Sequence, residues 1–462
     1  MDFTKRIDEM KDQIIQSTQE IISIKSVKDK PKENMPFGQG INDCLEHTIN
    51  LCENLGFETK NVDHYAAHAE FGHGEEVVGI LAHLDVVPEG DNWTYPPYAA
   101  EIHDDKIYGR GTIDDKGPAI ATLYAMKALK DSGVKLNKKI RIIFGTDEES
   151  GWEGINYYLQ HEKAPDLAFT PDADFPAIHG EKGILIFDFV KNFKSTPENT
   201  GIKILKINGG NRPNMVPDYC EVHLLSDEDL KQKVTTYGKE NNIKLEVVQQ
   251  EKITIIKSFG VSAHGSLPHA GQNAISQLIV FLNTLDLADG DISDFIKVYT
   301  DKISMDYYGE SIGCGLTDEE SGKLVFNVGV INLNEEKVNL SINIRYPITC
   351  TDTQVYDGMN KELKGTGIGI VEIEHKNPIY LPKDHELVQK LMKVYRDFTG
   401  DHSEAITIGG GTYARAMENA VAFGPLFPDQ PELAHQKDEY ISIDDLIKIT
   451  KIYANALYEL AK

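Results

Sequence analysis

Apolar residues recur along this chain with two different periods, and the change of period divides it. Near the start, Ile7, Met10, Ile14, Ile21 and Ile22 return at helical spacing, which predicts an amphipathic helix. Ile41, Leu45, Ile49 and Leu55 repeat that pattern, with Cys44 and Cys52 on the same helical face. Two unbroken apolar runs, Val77 to Ala82 and Ile140 to Gly145, read as strands of the fully buried type, with a helix over Gly117 to Leu129 between them. Strand, crossover helix and strand imply a largely parallel sheet with helices on its faces. A shorter strand follows at Leu167 to Thr170.

From about residue 186 the period becomes two. Val338, Leu340, Ile342 and Ile344 point to one face of a strand, while Asn339, Ser341, Asn343 and Arg345 point to the other. Helices are fewer here: Ser226 and Asp229 before Leu230 give a capping-box start for one, and Asn273 to Leu285 forms another. After residue 380 the first texture resumes, with a helix near 384 to 399, a strand at Ala405 to Ile408 and the turn Gly409-Gly410-Gly411. A strand at Ala420 to Phe423 and a capped final helix from Ser442 complete it. The pattern predicts an α/β fold: a discontinuous catalytic domain, residues 1–185 and 381–462, with a largely parallel central sheet flanked by helices. An α+β domain is inserted at residues 186–380.

Composition narrows the partners. A length of 462 residues exceeds one compact core, which agrees with a divided chain. The formal net charge of −26 argues against nucleic acid or an anionic membrane surface. The first residues, MDFTKRIDEMKDQIIQ, lack the apolar core of a signal peptide. No run approaches the ~18 apolar residues of a membrane span. Five cysteines, an odd number without CxxC spacing, fit a reducing compartment, so a cytoplasmic protein is expected.

Candidate chemistry gathers where the predicted strands end. His83 and Asp85 follow one strand, Glu148 and Glu149 the next, and Asp172 the third. Ligands in open α/β sheets collect beyond the carboxyl ends of strands, so these residues converge on one rim, which His435 can also reach. Each motif alone has a plainer reading: Asp114 could cap the following helix, Glu148 and Glu149 could begin a solvated one, and Asp172 could serve a turn. Taken together they form a set of neutral imidazoles and hard carboxylates without cysteine, which suits Zn²⁺ or Mn²⁺. Adjacent acids can then divide ligation and proton transfer between them.

The segments AHLDVVPEG, YGRGTIDDKGP, GTDEESG, TPDADFP, NMVP, GVSAHGSLPHAGQNA, NIRYP, GGGTYAR and AHQKDE run in order over nearly the whole chain. Together they resemble the dinuclear zinc peptidases that include carnosinases, aminoacylases and succinyl-diaminopimelate desuccinylase, and most of all the bacterial peptidase V type dipeptidases. The resemblance implies two divalent metal ions, Zn²⁺ with Mn²⁺ or Co²⁺ as alternatives, bridged by Asp114. One ion also takes Glu149 and His435, the other His83 and Asp172. It further implies that the inserted α+β domain is a lid, that Asp85 fixes the tautomer of His83 and that Glu148 is the general base for a metal-held hydroxide. His264 then stabilises the oxyanion, and Asn214, Arg345 and the backbone of Gly409, Gly410 and Gly411 hold substrate. Arg345 suits a terminal carboxylate on residue chemistry alone, since a guanidinium binds one in bidentate fashion.

The expected protein is therefore a dipeptidase acting on small peptides, with a lid large enough to serve its own chain as a monomer. An N-acyl or N-succinyl amino acid deacylase is the alternative within the same chemistry. A catalytically inactive peptide-binding protein is the alternative of another kind, disfavoured because every ligand and Glu148 are present.

Overall fold

The computed structural model describes residues 3–194 and 201–462. It forms two compact units: one comprises the chain up to Gly180, Leu381–Ile406 and Gly411–Lys462, and the other Glu181–Tyr380 with Thr407–Gly410.

In the first unit the strand Val77–His83 is buried along its whole length, as its unbroken apolar run requires. It pairs in parallel with Lys139–Gly145 on one side and Leu167–Thr170 on the other, and Ala420–Ala422 pairs in parallel with the latter. Gly79 is needed in this strand, because a Cβ there would fall 2.5 Å from Pro165 Cγ. Two antiparallel strands, Ala66–Phe71 and Glu58–Val62, extend the sheet beyond Lys139–Gly145. Helices Lys116–Ser132 and Ile443–Ala461 bury Leu123, Met126, Ile449 and Leu457 in the core over the sheet. Ser442 caps the second by accepting the Asp445 N–H at 3.0 Å. The N-terminal helical pattern is realised as two helices, Phe3–Glu9 and Lys11–Ile22, broken at Met10.

The second unit is an eight-stranded antiparallel sheet, ordered Lys244–Gln250, Ile253–Phe259, Tyr219–Leu225, Lys203–Gly209, Val325–Leu333, Lys337–Tyr346, Gly183–Asn192 and Gly369–Lys376. Val338, Leu340, Ile342 and Ile344 face the core, as their alternation demands. They share it with Val234, Leu278, Phe295 and Val355 from four helices. Asn273 caps the helix Ala274–Leu282 by accepting two N–H groups. The expected box at Ser226 does not form. That helix runs Lys231–Glu240, Ser226 Oγ accepts the Glu228 N–H, and Asp229 accepts the Lys231 N–H at 3.0 Å.

The fold is thus α/β, with a central sheet whose four inner strands run parallel between antiparallel neighbours, and an inserted α+β unit. Among the described residues no helix is long and apolar enough to cross a membrane.

Candidate metal centre

The strand Val77–His83 ends on His83 itself, and Lys139–Gly145 and Leu167–Thr170 each end shortly before an acid, Asp147 and Asp172. Because these strands are parallel, their carboxyl ends open on one side of the sheet. Asp114 precedes the helix Lys116–Ser132, where the partial positive charge of the helix start favours a carboxylate. His435 enters from the loop before the strand Tyr440–Ser442.

These side chains interlock around Asp114. His83 Nε2 lies 3.0 Å from Asp114 Oδ1 and 3.6 Å from Asp172 Oδ2. His435 Nε2 lies 3.0 Å from Asp114 Oδ2 and 3.1 Å from Glu149 Oε2. Each oxygen of Asp114 therefore faces one imidazole that has one further carboxylate beside it. Single ligand atoms of His83, Asp114 and Glu149 fall within 4.8 Å of one another, and so do those of His83, Glu148 and Asp172.

The ring of His83 is oriented from behind. Its Nδ1 lies 2.9 Å from the main-chain carbonyl of Asp85, which only accepts, so Nδ1 carries a proton and the ring is held with Nε2 turned to Asp114 and Asp172. The Asp85 carboxylate is farther from that ring, at 3.6 Å. It accepts the N–H groups of Glu148 and Glu149 instead, each at 3.1 Å. Buried Asp147 holds the same turn from the other side, accepting Lys28 Nζ at 2.6 Å and the Glu153 N–H at 3.1 Å.

Burial is the largest influence on the acids. It pushes Glu148 well above the carboxylate range, Glu149 upward, and Asp172 up to about 7. Burial would raise Asp114 as well, but hydrogen bonds from His435 and His83 hold it below its usual value. Both histidines would be lowered by burial, yet their carboxylate partners prevail: His83 stands well above the usual value and His435 at about 11. Among the described residues, the two imidazoles are the only basic side chains within ion-pair distance of Asp114, Glu149 and Asp172. A set with more acid than base, buried or half-buried apart from the exposed His435 and built of imidazole nitrogens and hard oxygens, fits divalent cations.

Three partners escaped the reading of the sequence. Asp115, fully buried, accepts the main-chain N–H of His83 at 3.1 Å. Arg110 and Glu439 form a buried ion pair of 2.7 Å against the loop that carries Asp114. All three lie inside segments that carry the family resemblance, YGRGTIDDKGP and AHQKDE, so the signal was present although no role was attached to it.

The remaining candidates, Gly411 apart, belong to the second unit. His264 Nδ1 accepts the Ser266 N–H at 3.1 Å, which places the proton of the neutral ring on Nε2. Asn214 adjoins it: the Gly265 N–H donates to Asn214 O at 2.8 Å, and Met215 bridges to His264. Arg345 is buried, donating from Nε to Asn343 Oδ1 and from Nη1 to Gly409 O, both at 3.0 Å. A Cβ on Gly409 would come within 3.0 Å of Ser266 Cβ, so backbone there packs closely against the His264 segment. Gly410 belongs to this unit and Gly411 to the first.

A match to the family described as "Peptidase family M20/M25/M40" runs over residues 79–459. The chain belongs to that family. It is accordingly a metallopeptidase, and members' dependence on metal agrees with the donor set around Asp114. A protein of Bacillus subtilis (strain 168) named "Putative dipeptidase YtjP" is 40% identical over 467 residues, covering 100% of both chains. Human carnosine dipeptidase 1 is similar in structure, with a TM-score of 0.61 at 16% identity, covering 99% of this chain and 98% of that one. The aminoacylhistidine dipeptidase of Vibrio alginolyticus gives a TM-score of 0.58 at 15% identity, covering 97% and 96%.

Proposed function

We propose that this protein is a dinuclear metal-dependent dipeptidase. The observation that carries the reading is the position of Asp114, whose two oxygens each face a separate imidazole and carboxylate, His83 with Asp172 and His435 with Glu149. Those five residues would hold the ions, Zn²⁺ by donor chemistry with Mn²⁺ or Co²⁺ as substitutes. Two divalent ions bound there supply Lewis acidity and a water acidic enough to react at neutral pH.

The chain's own groups perform the rest. Glu148 takes the proton of the attacking water and returns it to the nitrogen of the leaving amine. Its backbone is fixed by Asp85, and its burial raises its proton affinity towards what such a shuttle needs. His264, with its proton on Nε2, donates to the oxyanion as it develops. Arg345, held by Asn343 and Gly409, receives the substrate's terminal carboxylate, and Asn214 with the backbone of Gly409, Gly410 and Gly411 contacts the peptide. Dipeptides as substrates are supported by the names of the Bacillus subtilis relative and of the carnosine and aminoacylhistidine dipeptidases. A monomer in the cytoplasm completes the proposal, supported by the large inserted unit and by five cysteines that are all free.

The test is hydrolysis of a dipeptide panel beside N-acyl amino acids, with Zn²⁺ or Mn²⁺ added and then removed by a chelator. Metal-dependent cleavage of dipeptides is expected. Cleavage confined to N-acyl amino acids would make the protein a deacylase, and binding of peptides without cleavage would make it a binding protein.

A further inference from the structure

We propose that the buried pair Arg110–Glu439 positions the metal ligands, tying the backbone that carries Asp114 to the backbone that carries His435. The inference rests on the two-metal reading above and concerns residues to which that reading gives no part.

Glu439 is fully buried and Arg110 nearly so. Glu439 Oε1 accepts the N–H groups of Gly111 at 3.0 Å and Ile113 at 2.9 Å, with longer contacts of 3.4 Å from the Asp114 N–H and the Thr112 hydroxyl. Successive N–H groups converge on one oxygen because Gly111 takes φ +90°, a conformation that favours glycine. Glu439 Oε2 accepts Arg110 Nη1 at 2.7 Å. The guanidinium then reaches onward, Nη1 to Gln436 O at 3.2 Å and Nη2 to His435 O at 3.3 Å. A further contact from Nη2 reaches Glu89 O at 3.4 Å. His435 itself sits at φ +64°, a region a histidine seldom occupies, and the bond from Arg110 to its carbonyl helps hold it there.

Stability is a weak reason for such a pair, since apolar residues of similar volume usually serve a core as well or better. An apolar pair could not bind the Gly111 to Asp114 backbone at one end and the His435 carbonyl at the other. That double attachment fixes the spacing between two proposed ligands of the same ion. Groups that orient metal ligands in this way typically account for 10–100-fold in affinity or activity.

Zn²⁺ titration of the chelator-stripped full-length chain, followed by calorimetry, tests the proposal. His435→Ala and His83→Ala first identify which of the two binding events belongs to which ion. Glu439→Gln should then weaken the His435-dependent event by about 10–100-fold and the other, which shares Asp114 but not His435, by clearly less. The double variant Arg110→Met with Glu439→Gln removes both buried charges, so it should fold, with the circular dichroism of the metal-free parent, yet keep the same selective loss. Native affinity at both sites in the folded double variant overturns the proposal alone. So does an equal loss at both sites that follows a fall in metal-free stability. Failure of the unaltered chain to bind two ions overturns the two-metal reading and this proposal with it.

Discussion

Asp85 is joined to Glu148 through the backbone: Asp85 Oδ1 accepts the Glu148 N–H at 3.1 Å, and Oδ2 accepts that of Glu149 at the same distance. One carboxylate thus sets the direction of both acids, while the Asp85 carbonyl, not its side chain, makes the closer contact to His83. Replacing Asp85 by Asn puts an amide donor opposite one of two N–H groups, so one anchor is lost and the ring contact stays. We expect kcat to fall by roughly 10–100-fold with both metals retained. Metal content measured beside kcat decides the matter: loss of an ion from Asp85→Asn would place its main effect on His83.

Glu148 and Glu149 are the next pair to separate. Ligand atoms of either acid come within 4.8 Å of His83 and a second carboxylate, so distance alone does not assign their roles. The proximity of Glu149 to His435 supports ligation by Glu149. Glu148→Gln should then lower turnover by about 10²–10⁴-fold with two ions still bound, because a positioned base has been lost. Glu149→Gln should lose an ion. The opposite pattern of metal contents would exchange the two assignments.

The protons of the metal-free cluster give a stability test. Without metal, Asp172 and Glu439 both stand at about 7, raised by burial from ordinary values of 3.8 and 4.5. The folded chain therefore keeps protons that the unfolded chain has released. Their contribution to stability is fully present below about pH 4 and is lost as the pH rises through about 7. A divalent ion at Asp172 replaces the proton there, so loaded protein avoids that part of the loss. We expect the Tm difference between loaded and chelator-treated protein to widen from about pH 4 to about pH 7, with protons released when metal is added near pH 6. A Tm difference that stays constant over this window would count against a proton-holding site.

Where the chemistry follows from chain direction, the sequence was legible. The unbroken apolar run from Val77 to Ala82, just before His83, announced a central strand, and the acids after neighbouring strands fell on one rim as parallel pairing requires. The alternation from Val338 to Arg345 likewise assigned core and polar faces. The strands Glu58–Val62 and Ala66–Phe71, at one side of the sheet, were missed, since ETKNV shows no alternation and half of AAHAEF is alanine. Arg110 and Glu439 were silent for another reason. They lie 329 positions apart, and a buried charge has meaning only with its partner. The capping box expected at Ser226 was misread because its Oγ accepts the Glu228 N–H locally, a frequent competitor of helix starts, and the helix begins later, at Lys231.

Substrate class turns on Arg345. Its guanidinium is held on Nε by Asn343 and on Nη1 by Gly409 O, so its direction is set before any ligand arrives. A dipeptide carries its carboxylate at a fixed distance from the scissile bond, and a fixed guanidinium would therefore measure peptide length. Hydrogen bonds to charged groups contribute about 1.5–3 kcal/mol, or roughly 10- to 150-fold in kcat/KM at 1.4 kcal/mol per decade. Ala-Ala should accordingly be cleaved faster than Ala-Ala-amide by about that factor, and Arg345→Ala should erase most of the difference. The amide is its own control for folding, because a misfolded variant would lose both substrates alike. N-acetyl-Ala keeps the carboxylate but lacks the amino terminus, so its poor cleavage by the unaltered enzyme would set a dipeptidase apart from a deacylase. Equal rates on Ala-Ala and its amide in the unaltered enzyme would remove Arg345 from carboxylate recognition.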